Sequence, residues 1–355
     1  MSVEAVSVPK SRWKVLRRIA GALAIALLVA LGWTLLWRLA ARQSERIIDA
    51  WIVRERSIGR NWSCPDRKVQ GFPFAIEISC AKPAFDGLIF GEHFAGGLNG
   101  FNATAVVYHP SAVRIALASP FSVRSDDRRT ALDLTWDDLD VVLDGLPQNI
   151  WRVRIKGDRL SLRGNFENAG LVMGAAGHLS ADAAARPDQT DSAYDFTLAV
   201  GDAGLPDLDR LLGVSLPTQI SAQGTLTKAR FDPGLDVTQN VDNWRAAGGR
   251  LDIVDANLSH GDIKFDAHGS LSLDNAHRLE GKLDTKSRGL EPMLLRLGVN
   301  PTLVSAGALL SSFITGDLPS NQKNETADLV VSIGFDDGRI SIGPVKTSAH
   351  VPPLY

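Results

Sequence analysis

Histidines next to aspartates are the residues of this chain whose types and spacing are best suited to chemistry. Three such histidines fall on neighbouring predicted strands: His260, His268 and His277, beside Asp262, Asp266 and Asp274. Imidazole and carboxylate groups in this arrangement could bind a metal ion or act together in general acid–base catalysis. However, strand alternation puts His268 on a polar face with Asp266 and Ser270. A solvated strand face therefore explains the pattern better than a metal or acid–base site.

No other motif points to a reaction. The paired aspartates Asp126-Asp127, Asp137-Asp138 and Asp336-Asp337 are typical of turns rather than of catalytic carboxylate pairs. The chain has no Gly-x-Ser-x-Gly elbow, phosphate-binding loop or dinucleotide fingerprint. We therefore expect a non-enzymatic protein with no catalytic residue, no metal and no cofactor. An enzyme without a recognisable motif is the alternative.

The chain contains only two cysteines, Cys64 and Cys80. A bridge between them would close a small loop, contribute about 3 kcal/mol and indicate an oxidising compartment. The alternative is a pair of unpaired thiols that behave as small apolar side chains. Two cysteines without a histidine at ligand spacing cannot complete a zinc site. We expect the bridge.

An apolar run from Ile19 to Trp37 follows a basic leader. At about 1.5 Å per residue it covers roughly 28 Å, the thickness of a bilayer's hydrocarbon core. A cleaved signal peptide would have a shorter run that ends at a small-x-small site, whereas this run leads into Arg38. The pattern favours a basic cytoplasmic leader over residues 1–18 and a retained transmembrane anchor over 19–37.

Charge does not decide which way the anchor points. Basic residues are equally frequent on both flanks of the run, so the positive-inside rule gives a tie. The formal net charge of -2 and the pI near 6.4 give no basic field that would attract nucleic acid. The partners that we expect are membrane lipids and other cell-envelope proteins.

Residues 38–60 have helical periodicity and predict a juxtamembrane helix that continues the anchor. Trp33, Trp37 and Trp51 could serve as interfacial aromatics. The apolar stripe of this helix could bind a partner, but packing against the chain's own body is the commoner outcome.

From Val69 onward the apolar period changes from 3.6 to 2, as in half-buried antiparallel strands. This predicts a β-rich body over 61–345 and a C-terminal tail over 346–355. The fold class that we expect is mainly β: one N-terminal transmembrane helix, then an elongated, curved antiparallel sheet whose apolar face is covered by a few amphipathic helices. Two stretches could supply those helices, Pro206 to Val214 and Gly289 to Ile314.

The hairpin over residues 263–283 shows the alternation most clearly. Its apolar positions are candidate lipid-facing residues: Ile263, Phe265, Leu271, Leu273, Leu279 and Leu283.

Several motifs together resemble a known bacterial family. They are Gly71-Phe72-Pro73-Phe74 between Cys64 and Cys80, Tyr108-His109-Pro110, the Gly269 to Gly281 hairpin, and Asp337-Gly338-Arg339-Ile340-Ser341-Ile342-Gly343-Pro344. This set, spread over residues 30–345, is similar to domain of unknown function 2125 (DUF2125). The resemblance implies an envelope protein of alphaproteobacteria. It also implies a strand pattern similar to that of the AsmA-like membrane-anchored β-proteins, a group that is linked to lipid handling. It implies an inner-membrane anchor with a cytoplasmic N-terminus and a periplasmic body. The resemblance identifies no catalytic residue in this chain.

Two functions fit these observations. In the first, the sheet forms an apolar β-groove that binds or shields lipid or another hydrophobic envelope component. In the second, the apolar face is only the protein's own core, and the body is a scaffold that binds envelope partners. The two differ in whether Gly289 to Ile314 fills the apolar face.

Overall fold

A computed structural model describes residues 10–89, 92–146, 149–166, 170–186, 192–232, 234–289, 328–343 and 345–355. The chain begins with one continuous helix, α1 (Lys10–Ser57), of 48 residues. Its segment from Val15 is long and apolar enough to cross a membrane. The anchor and the juxtamembrane helix predicted from the sequence are therefore parts of one helix.

Strands dominate the rest of the chain, as the alternation predicts, and they form one 18-stranded sheet in the described residues. The first half contains β1 (Arg60–Ser63), β2 (Lys68–Gln70), β3 (Ala75–Ala81), β4 (Ala84–Ile89), β5 (Glu92–Val106), β6 (His109–Ser125), β7 (Ala131–Thr135), β8 (Asp138–Asp144) and β9 (Arg152–Phe166). The second half contains β10 (Gly170–Ala185), β11 (Tyr194–Ala203), β12 (Thr218–Leu226), β13 (Leu251–His260), β14 (Ile263–Leu273), β15 (Leu279–Arg288), β16 (Leu329–Asp336), β17 (Arg339–Ile342) and β18 (Val345–His350).

The sheet is an antiparallel meander. From β9 to β18, every strand pairs with the next one in sequence. Nearer the N-terminus, short strands lie end to end: β3 and β4 both pair with β5, while β7 and β8 both lie between β6 and β9. At about 4.8 Å per strand position, the sheet runs for roughly 70 Å along its stacking direction.

Helix α1 packs along the first edge of this sheet. Glu55 is buried and forms an ion pair of 2.7 Å with Arg60 at the start of β1. Trp51 contacts Trp62 of β1 with ring centroids 5.6 Å apart. The second half of α1 thus packs on the protein's own body, and it covers a strand edge that would otherwise be open to pairing.

Two short helices interrupt the meander. Helix α2 (Pro206–Leu212) lies within the stretch that its leucines predict and ends at Gly213, whose φ of 73° suits glycine. Helix α3 (Val237–Ala246) was not predicted. It starts with a capping box in which Asp236 and Gln239 bond each other's backbone N–H groups. The predicted helices within Gly289 to Ile314 lie outside the described residues.

The last strand corrects one predicted boundary. Residues 346–355 were expected to form a tail, but Val345–His350 is strand β18 and pairs with β17. The residues after it are also held: the Leu354 N–H donates to the carbonyl of His277 at 3.0 Å. The hairpin before β18 turns at Asp337 and Gly338, which have φ values of 53° and 73°. Such positive φ values are typical of tight two-residue hairpin turns.

Candidate functional site

The register of the sheet aligns apolar residues from strand to strand. Residues directly opposite each other in an antiparallel pair have side chains on the same face, so the pairings trace rows across the sheet. The central row is Val69, Ile78, Ala103, Ile115, Val141, Ile155, Ala181, Leu198, Ala222, Ala256, Ala267, Thr285 and Val331. Every member except Thr285 is apolar. We call the side of the sheet that carries this row the apolar face.

A second row runs beside the first on the same face. It consists of Ile76, Ala105, Val113, Leu143, Val153, Ala183, Phe196, Gly224, Ile253, Gly269, Leu283, Ile333 and Ile342. A β-bulge between Ile253 and Ala256 keeps both residues on the apolar face although three positions separate them. The alternation is therefore maintained even where the strand is irregular.

Glycines in the second row make room for their neighbours. A Cβ atom on Gly224 would lie 2.9 Å from a ring carbon of Phe196. A Cβ atom on Gly269, which has a φ of 150°, would lie 2.1 Å from the carbonyl oxygen of Lys282. Only glycine fits these positions, so the pairing of the second row at Phe196 and at Leu283 requires a glycine opposite each of them.

The opposite face is polar. A row on that side runs through Asp140, Lys156, Ser180, Ala199, Ser221, Asn257, Asp266 and Lys286. A depression of about 560 Å³ lies there, with Lys156, Ser180 and Asn257 in its lining. Ionisable groups of Lys156, Asp158 and His178 lie in that lining, whereas the two rows of the apolar face carry none, so the apolar face is the better candidate for a hydrophobic ligand.

The six residues that the sequence singles out as lipid-facing lie together on the apolar face. Leu273 pairs with Leu279, Leu283 pairs with Gly269, and the remaining members alternate with these on the same strands. All six are half-buried. Contact of these side chains with lipid stays a prediction.

The described residues form almost no closed core. The apolar side chains that they bury are Ala41, Cys80, Trp136, Ala193, Ala203, Leu212 and Ala267. A second layer packed over the apolar face would also bury its large members, such as Phe196 and Ile155, but these keep intermediate exposure. Within the described part of the chain, the apolar face is therefore incompletely covered.

The histidines singled out by the sequence are not brought together. His260 is buried at 1% exposure, contrary to the solvated position expected for it, and its Nδ1 lies 2.9 Å from the Thr218 hydroxyl. Its Nε2 lies 3.8 Å from Asp209 of α2. Thr218 is itself fully buried, so a substrate cannot reach this arrangement, which lies where α2 meets the sheet. His268 is exposed on the polar face, as expected.

His277 belongs to a cluster at the C-terminus. Its ring stacks on Tyr355 at 4.4 Å between centroids, and its Nε2 lies 3.2 Å from Asp242 of α3. The hydrogen bond from Arg245 lowers the pKa of the Asp242 carboxyl, while burial raises the pKa of the Tyr355 hydroxyl. The contacts of Tyr355 with His277 and Asp242 hold the C-terminal residues against the body, so the cluster has a structural role.

The expected disulfide is present. Cys64 and Cys80 are joined across a separation of 16 residues, with Cα atoms 5.8 Å apart, and Cys80 is buried. The bridge ties the turn after β1 to the end of β3. It thereby closes the segment that contains β2 and Gly71-Phe72-Pro73-Phe74.

Metal ligands are not clustered in the described ranges. No group of three or more histidine, cysteine, aspartate or glutamate side chains there is arranged to hold a metal ion. The feature of the described residues that is best suited to binding is therefore the extended apolar face.

Comparison with known proteins identifies the family of the chain. No curated protein matches the chain. The family described as "Uncharacterized protein conserved in bacteria (DUF2125)" matches residues 37–349, which include the end of α1 and the body almost to its C-terminus. Because this match covers most of the chain, the protein belongs to the DUF2125 family.

Proposed function

We propose that this protein is a non-enzymatic, single-pass inner-membrane protein whose periplasmic body binds or shields lipid, or another hydrophobic envelope component, along the apolar face. The observation that carries the proposal is the pair of apolar rows: the first runs from β2 to β16 and the second from β3 to β17. An acyl chain that lies along such rows would bury apolar surface. Each Å² removed from water would contribute about 25 cal/mol of favourable free energy.

The exposure of the rows also supports ligand binding. Large side chains such as Ile155 and Phe196 keep part of their surface accessible, and single-layer sheets with one apolar side normally cover that side. The described residues do not cover the apolar face completely, and a hydrophobic ligand would complete that cover. The buried His260 is inaccessible to a substrate and therefore does not favour a catalytic role.

The test is site-specific photo-crosslinking of the full-length protein in native membranes. A photoreactive benzoylphenylalanine would replace Leu271 on the apolar face, and the matched control would replace Lys264 on the opposite face of the same strand. We expect a lipid adduct at position 271 and none at 264. Absence of lipid adducts at both positions would refute the proposal.

The second candidate function is an envelope scaffold that uses its surface to bind protein partners. It is favoured by the polar face, whose charged members include Lys156, Asp266 and Lys286. In the same experiment a scaffold would give protein adducts at position 264 and only intramolecular adducts at 271.

The periplasmic location makes a separate prediction. Alkaline phosphatase, which is active only where its disulfides form, should be active when fused after Tyr355, because the body carries the Cys64–Cys80 bridge. A fusion of the same enzyme to the N-terminus should be inactive. The opposite pattern of activities would contradict the proposed topology.

A further inference from the structure

The body meets α1 inside the apolar run rather than after it. The side chains of Ile19, Ile25 and Leu31 are exposed along the first part of the helix. At Trp33, contacts with the body begin: the indole N–H donates to the carbonyl of Pro73 at 2.9 Å. Four residues later, the Trp37 indole donates to the carbonyl of Ala75 at 2.7 Å. The apolar run before these contacts, from Ile19 to Gly32, spans only about 21 Å, so a hydrocarbon core of about 30 Å that begins near Ile19 extends past Trp33.

These contacts fix a loop of the body at the height of the apolar run's end. The loop is Gly71-Phe72-Pro73-Phe74, and the Phe72 ring packs edge-on against Trp37 with centroids 5.5 Å apart. Trp33 and Trp37 lie about 6 Å apart along the helix axis. If α1 crosses a bilayer, the loop lies where the hydrocarbon core gives way to the headgroups.

The loop and its neighbour present aromatic side chains to the surroundings. Phe72 and Phe74 are 51% and 69% exposed, and Tyr108 at the tip of the β5–β6 hairpin is 83% exposed. The two segments are joined, because the Val107 N–H donates to the carbonyl of Phe74 at 2.9 Å. Three exposed aromatic rings at one corner are costly in water, whereas aromatic rings favour the membrane interface.

We propose that Phe72, Phe74 and Tyr108 form an aromatic wedge that inserts into the bilayer crossed by α1, on the side where the body lies. The occupant of this surface is lipid of that leaflet, since the wedge is continuous with the helix that enters the same leaflet. The proposal depends on α1 spanning the membrane, and not on a ligand at the apolar face.

The wedge also places one end of the apolar face at the membrane. Ile76, the first member of the second row, lies two residues after Phe74, and Ala105, which pairs with it, lies three residues before Tyr108. Lipid that contacts the wedge is therefore next to the start of the row. The wedge would give a hydrophobic molecule a route between the leaflet and the apolar face without crossing water.

Spin labelling of the full-length protein tests the wedge. Phe74→Cys and Tyr108→Cys would each carry the only free thiol, because Cys64 and Cys80 are bridged. Leu88→Cys is the matched control: Leu88 is 52% exposed and lies at the opposite end of the strands, beside His93. Each labelled protein is placed in nanodiscs of phosphatidylethanolamine and phosphatidylglycerol that hold one copy.

We expect the labels at 74 and 108 to be accessible to oxygen, which concentrates in lipid, and shielded from a water-soluble nickel complex. The Leu88 label should show the reverse. Accessibility at 74 and 108 equal to that at Leu88 would overturn the proposal. Shielding from both reagents would also overturn it, because it would mean that protein and not lipid covers the wedge. Either result leaves the crosslinking test of the apolar face unaffected.

Discussion

Replacing Leu283 with aspartate should abolish most lipid capture by the apolar face while the protein stays folded. Leu283 is half-buried on the apolar face, where it pairs with Gly269. Burial of a leucine contributes about 1.5–3 kcal/mol, and a carboxylate at the same place would have to be desolvated. Because about 1.4 kcal/mol corresponds to a tenfold change, we expect Leu283→Asp to reduce crosslinking to a photoreactive lipid more than tenfold. Leu271→Asp should act in the same way.

Lys264→Asp is the matched control for these variants. It introduces the same carboxylate on the same hairpin, but on the polar face of the sheet. Phe265 and Leu271 of the same strand lie on the apolar face. Its lipid capture should equal that of the unmodified chain. Should both leucine variants unfold while Lys264→Asp stays folded, the apolar face would be a filled core and the scaffold function would replace the lipid-binding one.

The second large effect should follow from removal of the disulfide. The double variant Cys64→Ser with Cys80→Ser opens a loop with a separation of 16 residues. Loss of this constraint should lower the free energy of unfolding by about 3 kcal/mol. Chemical denaturation of the full-length protein in detergent, followed by tryptophan fluorescence, measures the change.

A variant in the same region provides the control for the disulfide. Asp49 of α1 is exposed and forms an ion pair of 2.7 Å with Arg67, which lies inside the loop closed by the bridge. Exposed pairs contribute only about 0–1 kcal/mol, so Asp49→Asn should change stability little. Equal denaturation midpoints for the double serine variant and Asp49→Asn would contradict a stabilising role for the bridge.

The strands could be predicted because the alternation of apolar and polar residues is visible within the sequence of each strand. The alternation in Leu279 to Asp284 requires no partner to be recognised, and the structure confirms it as part of β15. Register across the sheet is a different matter, since it depends on pairs such as Ile155 with Ala181 that lie far apart in sequence. The two apolar rows therefore emerge only once every pairing is known.

Long-range contacts explain what the sequence reading missed. Trp33 and Trp37 looked like ordinary interfacial aromatics, but both donate hydrogen bonds to the loop around Pro73. His260 was grouped with His268 on a solvated strand face, yet it is buried and Asp209 of α2 lies beside it. A local signal was available for α3: the spacing of Asp236 and Gln239 is that of a capping box.

The meander order has a consequence for how the protein can vary. From β9 onward each strand pairs with the next one in sequence, so the stability of this part of the sheet approximates a sum of nearest-neighbour terms, as in repeat proteins. Insertion or loss of one hairpin would lengthen or shorten the sheet by about 9.6 Å without altering the remaining pairs. The length of the sheet along its stacking direction can therefore change with the number of hairpins. The number of hairpins, rather than any single side chain, would set the length of the hydrophobic molecule that the apolar face can accommodate.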